Sequence, residues 1–204
     1  MDFSVAIVAG GKSSRMGRDK AFVPLRGRPM IHHVLERVTP LGAKQVLIVA
    51  NRPTDYSYLR VPVFPDVLPD KGALGGIYTA LTYSPSDYTL IVACDMPFLN
   101  TALLRRLIGF CQTADENRPD VIVPVFNNRP QGLHAVYRKT CLAPIRASLE
   151  SDLLKVIAFY PDVTVRYVMP EEYRDLDPDG WSFRNINTPD ELNRAESEAG
   201  PDAQ

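Results

Sequence analysis

The sequence predicts a three-layer α/β sandwich, helices on both faces of a mainly parallel sheet. Two observations carry this. Short apolar runs alternate with segments of helical periodicity from the first residues onward, the pattern that βαβ units produce. The runs are also continuous rather than alternating, as strands covered on both faces must be.

The elements follow in order. Val5–Ala9 reads as a buried strand. Pro29 can stand in the first turn of a helix that places Ile31, Val34, Leu35 and Val38 on one face. Lys44–Asn51 is the second strand, and Val61–Phe64 a shorter, edge-like one because of its prolines. The stretch from Gly72 to Ser84 turns helical, with Leu74, Ile77 and Leu81 aligned. Tyr88–Asp95 is the clearest buried strand. Asn100 can cap a helix carrying Leu103, Leu104, Leu107 and Ile108. Asp120–Val125 is another strand, and Gly132–Lys139 alternates, which suits a half-exposed or an antiparallel one. A helix is expected within Leu142–Phe159, a strand at Val163–Met169, and an extended piece at Trp181–Asn187. Thr188, Pro189 and Glu191 then form a capping box for a last helix. We expect a single domain over 1–196 and a frayed tail over 197–204.

Composition narrows the function. Apolar residues at 45% and charged residues at 23% fit an ordinary globular chain of 204 residues. The net charge of −1 offers no global field for nucleic acid or an anionic membrane. No apolar stretch approaches the roughly 20 residues that span a bilayer. The 3 cysteines (Cys94, Cys111 and Cys141) form no CxxC pair or disulfide framework. With no signal peptide in the opening run, a cytoplasmic location is expected. The histidines His32, His33 and His134 have no zinc-like spacing.

Anion binding must therefore be local, and Val8–Phe22 is the place. Two adjacent glycines, Gly10 and Gly11, are followed by Lys12, Ser13, Ser14, Arg15, Arg18 and Lys20. A Walker A motif needs a glycine five positions before Gly11, where Ala6 stands; the GxGxxG fingerprint fails because Lys12 and Ser13 follow two positions after the glycines. What remains is a strand, a double glycine and a basic loop. Glycine lets backbone approach a ligand, and successive N–H groups can cradle an anion. A solvated surface loop is the competing reading. Asp95 adds to the first. A carboxylate ending an apolar strand is costly without compensation, and at a strand's carboxyl end it is placed to hold Mg²⁺ with substrate phosphates. A capping or turn aspartate is the competing reading. In such sheets ligands bind at the carboxyl ends of strands, so the loop after Ala9, Asn51 and Asp95 should share one crevice.

Taken together, the segments Val8–Lys20, Val61–Leu81, Ile91–Leu99, Gly132–Arg138 and Phe183–Leu192 resemble the molybdenum cofactor guanylyltransferase group of nucleotidyltransferases. The first matches the signature LAGGxSxRMGxDK, and the last carries Asn-x-Asn-Thr-Pro. The resemblance implies a Rossmann-like sandwich of the nucleotide-diphospho-sugar transferase type. It implies that Val8, Ala9, Gly10 and Gly11 line the nucleotide pocket with their backbones and that Lys20 meets the phosphates. Asp66 would contact the guanine nucleotide, Asp95 the nucleotide and Mg²⁺, and Asn185 and Asn187 the pterin-side half. On local grounds alone, Asp66 fits a turn, and the two asparagines fit the approach to a capped helix.

The implied reaction joins GMP from GTP to molybdenum–molybdopterin, with release of pyrophosphate. Arg15, Lys20 and Asp95 are its expected catalytic groups, and molybdoenzymes or their chaperones its expected further partners. The alternatives are a cytidylyl- or sugar-phosphate nucleotidylyltransferase, and a carrier that binds nucleotide or cofactor without catalysis. Two departures stand out: Val8 replaces the usual leucine, and Gly132 stands where many members have proline. Tyr56 and Tyr58 could stack on a base or cover the surface.

Overall fold

The computed structural model describes residues 2–9, 19–112 and 118–198. In chain order its strands are β1 (Phe3–Val8), β2 (Pro24–Leu25), β3 (Arg28–Pro29), β4 (Gln45–Val49), β5 (Val63–Phe64), β6 (Tyr88–Ala93), β7 (Val121–Phe126), β8 (Arg129–Pro130), β9 (His134–Arg138) and β10 (Val165–Val168). The helices are α1 (Met30–Val38), α2 (Gly72–Tyr83), α3 (Thr101–Gly109), α4 (Leu142–Glu150) and α5 (Pro189–Ser197), joined by several short 3₁₀ turns. The strands form one eight-stranded sheet in the order β10-β7-β9-β6-β1-β4-β5, with β8 beside β7; β2 and β3 make a separate hairpin.

Strands β5, β4, β1 and β6 run parallel, and only β9 in the main order opposes its neighbours. The expected alternation of β9 thus belongs to an antiparallel strand, and not to a half-exposed one: His134, Ala135, Val136 and Tyr137 are all buried. Both of its faces are covered because each face of the sheet carries its own core. On one face Val5 and Ile7 of β1 meet Ile31, Val34 and Val38 of α1 and Leu103, Leu104 and Leu107 of α3. On the other, Ala6 and Val8 meet Leu74, Ile77 and Leu81 of α2, with Ile145 and Leu149 of α4 nearby. Helix α2 approaches β1 so closely that a Cβ on Gly76 would come within 2.8 Å of Val8 Cγ1. A third, smaller cluster joins the β2–β3 hairpin to α5 through Leu25, Phe98, Ile186 and Ala195.

One expectation is corrected. Trp181–Phe183 is a 3₁₀ turn, and not an extended piece. The cause is Asp177, whose carboxylate accepts hydrogen bonds from the amides of Trp181 and Ser182, after Gly180 reverses the chain at φ +65°. The last helix begins as the sequence requires, with the Thr188–Glu191 capping box formed, and it runs to Ser197. Residues 199–204 of the expected tail lie outside the described residues. Among the described residues no helix is long and apolar enough to cross a membrane.

Register makes this sheet a platform. Val8 is level with both Val49 and Ala93, and Val49 is level with Phe64. Four parallel strands therefore end in one row. The chain leaves that row still pinned to it: Ala9 N donates to Val49 O at 2.9 Å, Ala50 N to Phe64 O at 2.9 Å and Cys94 N to Val8 O at 3.1 Å.

Candidate active site

The row of strand ends delivers Ala9, Asn51, Asp66 and Asp95 to one edge of the sheet, as the carboxyl-end rule requires. Gly10, Gly11 and Arg15, which belong to the basic loop, lie outside the described residues. The chain returns at Asp19, which caps the turn Lys20–Phe22 by accepting from Ala21 N at 3.1 Å. From that turn Lys20 projects to Asp95, with Nζ 3.7 Å from Oδ2. It also donates to Asn187 Oδ1 at 2.6 Å, across 167 positions of sequence.

Asn187 is itself held. Glu191 Oε2 accepts from the amides of Asn187 at 2.6 Å and Thr188 at 3.0 Å, so the capping box doubles as a brace. One residue earlier, Ile186 N donates to Asp95 O at 2.9 Å, which ties this C-terminal strip to the end of β6. Lys20, Asp95 and Asn187 thus form one cluster, built from the first, middle and last parts of the chain.

The Asp95 side chain is only 17% exposed. Burial pushes its carboxyl above the usual range, and the ammonium of Lys20 pulls it back. A desolvated acid of this kind gains from any cation placed on its free face. Neighbouring Cys94 is no nucleophile: burial, and then the charge of Asp95, push its thiol far up, leaving it protonated.

Asp66 follows β5, on the far side of β1 from Asp95. Its amide donates to Asn51 Oδ1 at 3.2 Å, and Thr79 Oγ1 accepts from Val67 N beside it at 3.0 Å. Burial pushes the Asp66 carboxyl up, while the side chains of Asn51 and Thr79 oppose the shift. Its Oδ1 is buried with no hydrogen-bond partner among the described residues. Asn185 is separate from the Lys20 cluster. It lines an adjoining cavity of about 260 Å³ with Phe98, Trp181, Glu191 and Arg194. Of Val8 and Ala9, the carbonyl of the first and the amide of the second are already engaged in the sheet.

Sequence reasoning missed Asp19, Glu191 as a brace and the buried role of Tyr56. The signal for Asp19 was its place in the signature, as the aspartate immediately before Lys20. Gly132, the departure from proline, sits where a Cβ would overlap Val156 Cγ1 and crowd Tyr137 Oη at 3.2 Å. Glycine there belongs with the packing of the segment after α4.

A family model described as the MobA-like NTP transferase domain matches residues 5–163. The chain belongs to this family. A molybdenum cofactor guanylyltransferase of Desulfosudis oleivorans is 38% identical over 192 residues, spanning 94% of this chain and 93% of its own length. A probable molybdenum cofactor guanylyltransferase of Flavobacterium johnsoniae is 34% identical over 189 residues, spanning 92% and 93%. Among solved structures, molybdopterin-guanine dinucleotide biosynthesis protein A from Archaeoglobus fulgidus superposes with a TM-score of 0.79 at 27% identity, covering 95% of this chain and 96% of its own. The mostly parallel sheet with helices on both sides is the nucleotide-diphospho-sugar transferase architecture that the sequence predicts.

Proposed function

We propose that this enzyme transfers GMP from GTP to molybdenum–molybdopterin, giving the guanine dinucleotide form of the cofactor and pyrophosphate. The observation that carries the proposal is the Lys20 ammonium, set 3.7 Å from a largely buried carboxylate on the row where the parallel strands end. A phosphate oxygen of the pterin substrate attacks the α-phosphorus of GTP. One P–O bond forms there, the bond to the β-phosphate bridge breaks, and pyrophosphate carries away the electron pair. The attacking group is already an anion, so no strong base is needed.

The obstacle is like charge meeting like charge, and positioned cations remove it. Lys20 is pre-aimed by Asn187 and supplies such a charge without having to reorganise. Arg15 and the amides of Gly10 and Gly11 complete the phosphate side in this reading. Asp66, whose Oδ1 has no hydrogen-bond partner among the described residues, offers an acceptor for the N–H groups of guanine, and Asn185 faces the pterin half.

Nucleotidyltransferases generally use a divalent metal, and Mg²⁺ fits these residues. It binds through one or two carboxylates with substrate phosphates completing its shell, and Asp95 is such a carboxylate. Among the described residues no three acidic, histidine or cysteine side chains gather as a closed metal cage. Held by Asp95, Mg²⁺ would neutralise phosphate charge. GTP and the pterin phosphate would be the partners of this site, and neither nucleic acid nor membrane is required.

The test has two arms. GTP with Mg²⁺ at about 100 times its Kd should stabilise the protein by about 2.7 kcal/mol, roughly 5–10 °C in melting temperature for this size, and CTP should not. Pyrophosphate should then appear only when loaded molybdopterin is added. Lys20→Ala should lower turnover about 10²–10³-fold, as loss of one preorganised donor does, and Asp95→Ala should abolish metal-dependent turnover. Equal stabilisation by CTP would favour a cytidylyl enzyme. GTP binding without pyrophosphate release would favour a carrier.

A further inference from the structure

Tyr56 has a use that the reaction scheme leaves open. It stands in the crossover after β4, on a 3₁₀ run from Pro53 to Leu59. That geometry turns every third residue the same way, so Pro53, Tyr56 and Leu59 face inward while Tyr58 faces out. Tyr56 is fully buried, whereas Tyr58 is 53% exposed and stacked on His32. Tyr56 therefore offers no free face to a base. The Tyr56 ring packs against Phe22 with centroids 4.8 Å apart. Its hydroxyl donates to Asp19 Oδ2 at 2.9 Å.

Asp19 uses its other oxygen to cap the turn from which Lys20 projects. One carboxylate thus joins a buried phenol to the backbone amide that fixes where the lysine starts. Burial, reinforced by the charge of Asp19, pushes the Tyr56 phenol far up, so it stays a donor at any working pH. A hydrogen bond to a carboxylate in a buried setting is among the stronger ones, and it orients both partners. The far end of Lys20 is steered by Asn187 and its near end by Asp19, so the side chain is held at both ends.

We infer that Tyr56 is a positioning residue for Lys20, acting through Asp19. The inference rests on the proposed role of Lys20 in guanylyl transfer. Tyr56→Phe removes one oxygen and keeps the ring. Displacement of a charged group by about 1 Å costs on the order of 10²-fold in rate, so kcat should fall roughly 10–100-fold. The KM for GTP should stay within about twofold, and unfolding should remain cooperative. Tyr58→Phe, at an exposed ring stacked on His32 and bonded to none of Asp19, Lys20, Asp95 and Asn187, is the control and should leave kcat unchanged.

The deciding measurement is a double-mutant cycle on kcat. In a Lys20→Ala background, Tyr56→Phe should cost nothing further. Asp19→Asn, which keeps the turn's cap but weakens the acceptor, should reproduce the single-variant loss and be non-additive with Tyr56→Phe. Three results would overturn the inference. The first is full kcat in Tyr56→Phe. The second is the same fold-loss with and without Lys20, which would make Tyr56 a structural prop. The third is normal turnover in Lys20→Ala alone, which would also remove Lys20 from the proposed mechanism and so marks a failure of that reading.

Discussion

Replacing His134 by leucine should make the protein more resistant to acid. His134 lies on β9 with no exposed surface, its ring 4.9 Å from that of Phe183. Neither ring nitrogen makes a well-formed hydrogen bond with any described residue. Burial pushes the imidazole from 6.5 down to about 3, and the Ser182 backbone opposes this only weakly. The folded chain therefore holds fewer protons on this residue than the unfolded chain does. Above the unfolded value the residue is neutral in both states and contributes nothing. As pH falls below about 6.5 the unfolded state gains a proton that the folded state refuses, and stability drops. The loss is about 0.8 kcal/mol at pH 6 and about 2 kcal/mol at pH 5, growing until about pH 3. The value at pH 5 is the same for any folded pKa well below 5.

Urea unfolding of both proteins at pH 7.5, 6 and 5 measures this directly. Whatever offset His134→Leu introduces at neutral pH, the stability difference should shift by about 2 kcal/mol in the variant's favour by pH 5. The other titrating groups, Asp95 and Asp66 among them, cancel in that difference. Parallel pH profiles would show that the imidazole finds a partner on protonation, and would refute the reasoning.

Two other perturbations follow from the packing. Gly180→Ala forces a side chain into the left-handed region and against the Phe126 ring, so it should cost about 2–5 kcal/mol. At roughly 2–4 °C per kcal/mol, thermal melting should drop by about 4–20 °C, and a change under 2 °C would contradict the turn geometry. Glu191→Ala removes the acceptor for two amides and should lower stability by about 1 kcal/mol, as loss of a cap does, while turnover falls because Asn187 no longer steers Lys20. Unchanged turnover in a destabilised variant would reduce Glu191 to a cap.

The parallel half of the sheet was legible because its strands are apolar on both faces, a pattern that few other structures produce. Asp95 stood out for the same reason, as a charge ending such a run. β9 was ambiguous because alternation looks alike in a half-exposed strand and in an antiparallel one whose two faces meet different cores. The β2–β3 hairpin escaped because its turn, Arg26–Gly27 with φ 51° and 76°, lacks the asparagine or aspartate that usually announces one. The turn at Trp181 depends on Asp177, whose capping role no local propensity records. Lys20 stood out as a cation of the basic loop and through the family signature, but its bond to Asn187 spans too much chain to be read locally. Tyr56 was visible as an aromatic residue, but its direction followed from a 3₁₀ period that a seven-residue stretch does not advertise.

The bond between Lys20 and Asn187 also has a temporal meaning. During synthesis the opening segment and the strand leading to Asp95 emerge long before the strip that aims the lysine. A nascent chain can form most of its sheet while the far end of the lysine still lacks the asparagine that steers it. Guanylyl transfer would then switch on late, when the final helix docks and draws the asparagine into place, so that half-made copies stay silent toward their nucleotide.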